Sequence, residues 1–472
     1  MKKADIGLIG LGVMGANLAL NIAEKGFRVA VFNRTLARTQ EFVAEAGPLA
    51  SNIVACETLE ALAGAIERPR PVILMVPAGR AVDEQIAALR PLLDRDDIII
   101  DAGNANFRDT RRRMETLMGD GPRFLGIGVS GGEEGARHGP SIMIGGAQDA
   151  YRTVEPILNA IAARYGDEAC AAWLGPDGAG HFVKTIHNGI EYADMQMIAE
   201  VYGVLRDGHG LAAGDIAPIF AKWNEGRLNS YLIEITAEVL AARDTSTGKP
   251  LVDVILDSAG QKGTGRWSAI EAQTLGIPAT AIEAAVAARS LSAIKHEREI
   301  GEARFGVPAP AADPVDEQRL AILEQALLAG KVVAYAQGFA VMAGASREFG
   351  WNLPLGTIAR IWRAGCIIRS QFLGEIAAAY DAAPETEDLL LTPAFAALME
   401  TTHPHLREVV AQSARAGIAV PALSSALAHF DTFRRARGTA NLIQAQRDYF
   451  GAHGFERIDR AGTHHGEWVR DV

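Results

Sequence analysis

Over the first third of the chain, short apolar runs alternate with longer stretches in which apolar positions recur every three or four residues. Ile6 to Ile9, Val29 to Phe32, Pro71 to Val76, Asp97 to Asp101 and Phe124 to Val129 have the length and β-branched content of buried strands. Between them, Asn17 to Lys25 and Thr35 to Ala46 carry a helical period. Strands that alternate with helices predict a parallel, doubly wound sheet. After the turn-rich Gly175 to Gly180, the pattern changes to long alanine-rich helices punctuated by Gly and Pro, continuing to about Arg437. The chain therefore reads as an α/β domain over residues 1–178, a large all-α domain over 179–437 and a C-terminal tail over 438–472. The tail segment Asn441 to His453 carries too much specific polar chemistry for a disordered end.

One helical segment stands apart. At about 100° per residue, Lys184, His187, Asn188 and Glu191 share one side of a helix, while Phe182, Ile186, Ile190, Ala193 and Met197 fall opposite. The polar side thus holds an amine, an imidazole, an amide and a carboxylate, one of each proton-handling type. The plain alternative is a salt-bridged surface face.

Composition narrows the classes. A chain of 472 residues exceeds what one core usually supports, so two or more domains are expected. Apolar content of 49% and charged content of 22% exclude disorder as the dominant state. A net charge of −11 gives no general attraction for nucleic acid and favours a metabolite as the partner. Cys56, Cys170 and Cys366 are widely spaced and form no metal-binding pattern, so they read as reduced core thiols and no metal is expected. Met1 leads directly into a strand and no apolar run reaches membrane-spanning length, so a cytoplasmic location is expected. The pair His464 and His465 is too short to indicate a metal site.

The glycines add chemistry to the strand ends. Gly10, Gly12 and Gly15, with Val13 and Met14 between them, lie between the first strand and a helix, which is the setting of a dinucleotide-binding turn in a Rossmann-like domain. The first glycine permits the turn, the second lets the backbone approach a pyrophosphate, and the helix N-terminus offers N–H groups to it. The second strand ends in Asn33, Arg34 and Thr35, where a carboxylate would select NAD; Arg34 suits the 2′-phosphate of NADP instead. Ser130, Gly131 and Gly132 follow the strand ending at Val129 and form a nest suited to a substrate carboxylate, and Asn104 closes a neighbouring strand. Downstream, Lys262, Thr264, Arg289, Arg447 and His453 supply donors for a phosphate, although each taken singly is more often a surface residue.

Taken in order, these motifs resemble the long-form decarboxylating 6-phosphogluconate dehydrogenases over essentially the whole chain. The likeness runs through Gly10 to Gly15, Asn33 to Thr35, Gly128 to Arg137, Gly180 to Tyr192, Leu256 to Gly265, Trp362 to Ser370 and Ala440 to His453. The resemblance implies NADP-dependent oxidative decarboxylation of 6-phosphogluconate to ribulose 5-phosphate in the pentose phosphate pathway. It implies Lys184 as base and then acid for the ketone, and Glu191 as the late proton donor. It assigns the substrate carboxylate to Ser130, Gly131 and Gly132, further substrate oxygens to His187 and Asn188, and a contact with both ligands to Asn104. It gives the phosphate to Tyr192, Lys262, Thr264 and Arg289, with Arg447 and His453 donated by the partner of a homodimer. Val76 joins the glycine turn and Asn33 to Thr35 as a cofactor contact.

Some positions depart from that pattern. Pro77 stands where lysine is common, Ala102, Ala105 and Asn106 alter the usual run around Asn104, and Ile144 replaces a proline; Gly438 with Thr439 and Gly454 with Phe455 change the surroundings of the tail. None removes an expected acid, base or phosphate donor, so activity is expected with altered kinetics or cofactor preference at most. A shorter β-hydroxyacid dehydrogenase would lack the Arg447 to His453 tail. A non-enzymatic NADP sensor would lack Lys184 or Glu191.

Overall fold

The computed structural model describes residues 2–261, 263–309 and 315–468. Cα packing divides the chain into residues 1–426 and 427–472. In the first unit the order is β1 (Ile6–Ile9), α1 (Val13–Glu24), β2 (Val29–Phe32), α2 (Leu36–Glu45), β3 (Ile53–Ala55), α3 (Leu59–Ala65), β4 (Pro71–Leu74), α4 (Arg80–Leu89), β5 (Ile98–Asp101) and α5 (Phe107–Leu117). It continues with β6 (Arg123–Val129), α6 (Gly132–His138), β7 (Ile142–Gly146), α7 (Gln148–Ile161), a small hairpin of β8 (Arg164–Tyr165) and β9 (Glu168–Ala169), and β10 (Ala171–Gly175). Helices α8 (Ala179–Gly203), α9 (Ala213–Trp223), α10 (Tyr231–Ala241), α11 (Thr264–Leu275), α12 (Thr280–Ala293), α13 (Lys295–Phe305), α14 (Glu317–Phe349), α15 (Leu355–Ile361), α16 (Phe372–Ala382), α17 (Pro393–Ala416) and α18 (Pro421–Phe433) follow.

Among the described residues the large sheet has eight strands in the order β10-β7-β6-β5-β4-β1-β2-β3. Alternate residues of one strand serve opposite cores. Ile6, Leu8, Val29, Val31, Ile98 and Ile100 pack with Leu18 and Ile22 of α1 and Val154 and Leu158 of α7. Ile9, Ala30, Val72, Leu74 and Ile99 pack with Leu62 of α3 and Val82, Ile86 and Leu89 of α4. A strand covered on both faces is apolar at every position, which explains the unbroken runs in the sequence.

The expected α/β Rossmann-like domain is present, with differences at its far edge. Strand β7 runs antiparallel to β6, and β10 is parallel to β7. Neither strand was legible: β7 is short and ends in two glycines, and β10 is built of Ala, Trp, Leu and Gly with no β-branched residue. Helix α1 begins at Val13, four residues earlier than the periodicity suggests, because Gly12 is its N-cap. Contrary to the expectation that no apolar run reaches membrane-spanning length, α14 is long and apolar enough by length and composition, with a mean hydropathy of 1.5 over an 18-residue window. However, 94% of that window is buried inside the fold, as expected for a core helix that is apolar all round. Helix α8 packs against β6 and β7 on one side and against α11, α12 and α14 on others. Cys56, Cys170 and Cys366 are buried free thiols.

The second unit holds α19 (Ala440–Gly451) and a short antiparallel hairpin of β11 (Phe455–Glu456) and β12 (Thr463–His464).

Candidate active site

The glycine turn sets one wall. Gly10 has φ +100°, and a Cβ there would lie 2.4 Å from the Met75 carbonyl oxygen; a Cβ on Gly15 would lie 1.9 Å from the Gly10 carbonyl oxygen. Any side chain at either position would break the strand-to-helix turn. Gly12 has open space in the same direction, Val13 is 58% exposed, and Met14 packs partly on the core beneath. No acidic residue occupies the first turn of α1. The Asn33 side chain accepts from the Leu11 N–H at 3.1 Å and donates to the Thr35 carbonyl, so it ties the end of β2 to the glycine turn. Arg34 and Thr35 are exposed beside it. Val76 adjoins Gly10, since a Cβ on Gly10 would meet Val76 at 3.1 Å, and Gly103 adjoins Val76, since a Cβ on it would meet the Val76 carbonyl at 3.2 Å. Asn104 is exposed on the same loop.

A second wall joins the first through helix packing. Asn21 of α1 donates to the Ala136 carbonyl of α6 and to the Ile161 carbonyl of α7. Helix α6 starts from the Ser130, Gly131 and Gly132 loop, with Gly131 in the left-handed region at φ 97°. The loop is pinned by residues distant in sequence: the Ser141 N–H donates to the Gly365 carbonyl at 2.7 Å, and the same carbonyl would meet a Cβ on Gly131 at 2.6 Å.

Helix α8 carries the polar groups against this loop. The Lys184 amine donates to Ser130 Oγ at 3.0 Å, and Ser130 Oγ lies 3.4 Å from His187 Nε2. His187 Nδ1 stands 3.2 Å from Asn188 Oδ1 and 3.7 Å from Glu191 Oε2. Both sides of the helix are covered here; Lys184, His187 and Asn188 are buried, as are the apolar residues opposite. The close approach depends on Gly128 of β6, where a Cβ would sit 2.4 Å from Lys184 Cβ. Trp362 closes the cluster, its ring edge-on to His187 at 5.2 Å.

Burial shifts the three ionisable groups in a useful sense. Desolvation lowers the Lys184 amine from its ordinary value, with the nearby Glu191 charge opposing. Desolvation, then the Lys184 charge, pushes His187 well down, so the imidazole is neutral. Desolvation raises the Glu191 carboxyl, with Lys184 and Arg289 opposing. An amine inclined to be neutral and a carboxyl inclined to be protonated lie on one helix; such a pair can take and give protons.

Beyond Glu191 the site becomes cationic. The Arg289 guanidinium lies over the Tyr192 ring, 3.4 Å from its centroid, and donates to the Gly260 carbonyl at 3.4 Å. Thr264 is the buried first residue of α11, following Gly263 in a left-handed conformation. Lys262 lies outside the described residues. Arg108 of α5 grips Glu271 of α11 through two bonds of 2.9 and 2.6 Å, joining the Asn104 side of the site to the helix that begins at Thr264. Arg447 and His453 lie in the second unit, exposed on α19 and just after it.

Several participants carry no signal that the sequence reading used. Trp362 and Gly365 belong to a segment of the resemblance that received no role. Asp194, one turn beyond Glu191, forms a buried ion pair with Lys331 at 2.9 Å, and the spacing from Glu191 alone could have flagged it.

Known proteins are similar to this chain along its whole length. Residues 5–175 match the NAD binding domain of 6-phosphogluconate dehydrogenase, and residues 180–468 match the 6-phosphogluconate dehydrogenase C-terminal domain. A Bacillus subtilis 6-phosphogluconate dehydrogenase, NADP(+)-dependent and decarboxylating, is 50% identical, with 100% of each chain covered. A second Bacillus subtilis relative, NAD(+)-dependent and decarboxylating, is 48% identical over 98% of this chain and 99% of its own. The solved Plasmodium falciparum 6-phosphogluconate dehydrogenase, described in apo form and in complexes with NADP+ and 6-phosphogluconate, superposes with a TM-score of 0.95 at 43% identity, covering 98% of this chain and 100% of that one. With both of its parts matched and relatives similar from end to end, the chain belongs to the 6-phosphogluconate dehydrogenase family.

Proposed function

We propose that this chain catalyses the NADP-dependent oxidative decarboxylation of 6-phosphogluconate to ribulose 5-phosphate and CO2, in the cytoplasm, as a homodimer. The observation that carries the reading is the buried run of Lys184, Ser130 and His187 with Glu191 one turn along the same helix. Relatives of nearly equal identity use NADP+ or NAD+, so the cofactor choice rests on this chain's own residues. The glycine turn fits a pyrophosphate, since Gly12 is open and the first turn of α1 bears no carboxylate. Arg34, exposed at the end of β2, fits a 2′-phosphate, with Asn33 and Thr35 as further donors.

NADP+, when bound, supplies the acceptor for the electron pair leaving C3. Lys184, entering as a neutral amine, takes the proton of the C3 hydroxyl. The resulting ketone is β to the carboxylate held by Ser130, Gly131 and Gly132. Lys184, now an ammonium, donates to the ketone oxygen as the C1–C2 bond breaks and CO2 leaves, and the electron pair is received as an enediol. Glu191 then gives its proton to the former C2, which completes ribulose 5-phosphate. His187 and Asn188 orient the substrate hydroxyls, and Asn104 reaches both ligands from the β5 loop. Tyr192, Lys262, Thr264 and Arg289 bind the phosphate together with Arg447 and His453 of the opposite copy.

The test is purified protein with 6-phosphogluconate and NADP+ or NAD+, following reduced nicotinamide and CO2 together. Equal yields of both products, with NADP+ preferred, are expected; reduced cofactor without CO2 rejects the proposal. For the shared site, Lys184→Met and Arg447→Ala subunits are mixed. Recovered activity in the hybrid dimer is expected, and none would return both groups to one chain.

A further inference from the structure

The second unit is built around a charge rather than around an apolar core. Among the described residues of α19, Asp448 is the buried one, while Leu442, Ile443 and Phe450 are exposed. Its carboxylate accepts from the Gly454 N–H at 2.9 Å and lies 2.7 Å from His465 Nδ1 through Oδ1. Oδ2 accepts from the Gly466 N–H at 2.9 Å and from the Trp468 indole N–H at 2.8 Å. The Gly466 N–H first, then Trp468, His465 and Gly454, hold this carboxyl far below the usual range, so it remains a charged acceptor.

A second path leads from the same glycine to Arg447. The Gln444 amide donates to the Gly454 carbonyl at 2.5 Å, and its oxygen accepts from the Arg447 guanidinium at 3.0 Å. Arg447, Gln444, Gly454 and Asp448 thus form a closed circuit of bonds on one turn of helix and the loop after it. His453 lies in the chain segment that the Asp448–Gly454 bond closes, between Ala452 at φ 49° and Gly454 at φ 72°. A left-handed alanine is a backbone state that non-glycine residues rarely adopt, so the reversal around His453 is held by what Gly454 bonds to. Of the pair His464 and His465, too short to indicate a metal site, His465 thereby acquires a use: it closes the far side of the carboxylate.

We propose that Asp448 is the positioning residue of the tail, fixing His453 relative to Arg447 by gathering Gly454, His465, Gly466 and Trp468 around one carboxylate. This rests on the reading of Arg447 and His453 as phosphate ligands, which is tested separately by their own substitution.

The experiment is steady-state kinetics of the full-length enzyme with 6-phosphogluconate and NADP+. Asp448→Asn, which turns one accepting oxygen into a donor, is expected to raise KM for 6-phosphogluconate by about tenfold or more, the scale of a lost charged hydrogen bond. The KM for NADP+ should move less than about twofold and kcat less than about threefold, because the reacting groups are elsewhere. Trp468→Phe removes one donor and keeps the ring; its expected KM rise is about two- to threefold. In an Arg447→Ala/His453→Ala background, adding Asp448→Asn should change kcat/KM less than about twofold, since nothing is left to position. If Arg447→Ala raises KM but Asp448→Asn and Trp468→Phe leave it unchanged, the inference is overturned. It is equally overturned if Asp448→Asn keeps its full effect in the double background, which is the mark of a merely structural role. If Arg447→Ala and His453→Ala themselves leave KM unchanged, the phosphate reading of the tail falls first.

Discussion

Replacing Lys184 by methionine isolates chemistry from architecture. The amine is buried, 7% exposed, and bonds to Ser130 Oγ at 3.0 Å. Methionine has a similar length and no charge, so it fills the same channel beside Gly128. Two contributions disappear together. Proton removal by a positioned base is worth about 10²–10⁴ in rate, and a donor aimed at the ketone oxygen is worth about 10²–10³. Because one side chain performs both, the losses need not multiply, and a fall in kcat of about 10²–10⁴, or roughly 2.7–5.5 kcal/mol, is expected. The fold should not suffer. Burial lowers the Lys184 pKa, so at neutral pH the unfolded chain binds a proton there more readily than the folded one, and the amine is a stability cost that methionine removes. The variant should therefore melt at or above the wild-type temperature and bind NADP+ within about threefold of normal, by titration of intrinsic fluorescence. Reduced nicotinamide and CO2 are measured together in single-turnover mixtures. A variant that keeps kcat within about tenfold of wild type would refute the role of base, whatever its stability.

Further outcomes follow from the same geometry. Activity needs Lys184 neutral, a condition gained as pH rises through its lowered pKa, and Glu191 protonated, a condition lost as pH rises through its raised pKa, so kcat should be bell-shaped in pH; Glu191→Gln should lower kcat by about 10²–10⁴ and abolish the alkaline limb, and a retained limb would assign it elsewhere. Arg34→Asp should cut kcat/KM for NADP+ by about tenfold or more while changing that for NAD+ by less than about threefold; parallel losses would mean that Arg34 supports the turn and not a 2′-phosphate. Gly128→Ala forces a Cβ to within 2.4 Å of Lys184 Cβ, so it should destabilise by about 1–3 kcal/mol in denaturant unfolding and lower kcat; a neutral result would show that α8 can back away from β6.

Much of the fold lay in plain view because its residues answer to local rules. The unbroken Ile and Val runs of β1, β2, β4 and β5 need both faces covered, and Gly10 and Gly15 occupy positions where a Cβ would strike a carbonyl. The grouping of Lys184, His187, Asn188 and Glu191 followed from helical spacing alone. What periodicity could not supply is the second wall. A two-faced helix ordinarily has one face in water, yet here the polar face is roofed by Ser130 and Trp362, contributed by segments remote in the chain. Strand β7 was hidden by its glycines, and Asp448 by lying next to an arginine whose role was more obvious.

That roof matters more than any single bond inside it. For Lys184, His187 and Glu191 alike, desolvation is the largest cause of the shift, ahead of every neighbouring charge. The amine and the carboxyl pull each other toward the ionised pair, and only exclusion of water outweighs that attraction. The chemistry on α8 is thus a consequence of close packing. Gly128 lets the helix meet β6, and the Gly365 carbonyl, bonded to Ser141, holds the backbone beside Gly131. A loosened site would return Lys184 toward ammonium and Glu191 toward carboxylate, keeping every residue in place by name while losing the protonation states that the reaction requires. In this helix the functional unit is therefore the buried face together with the backbone that seals it, and not the four side chains alone.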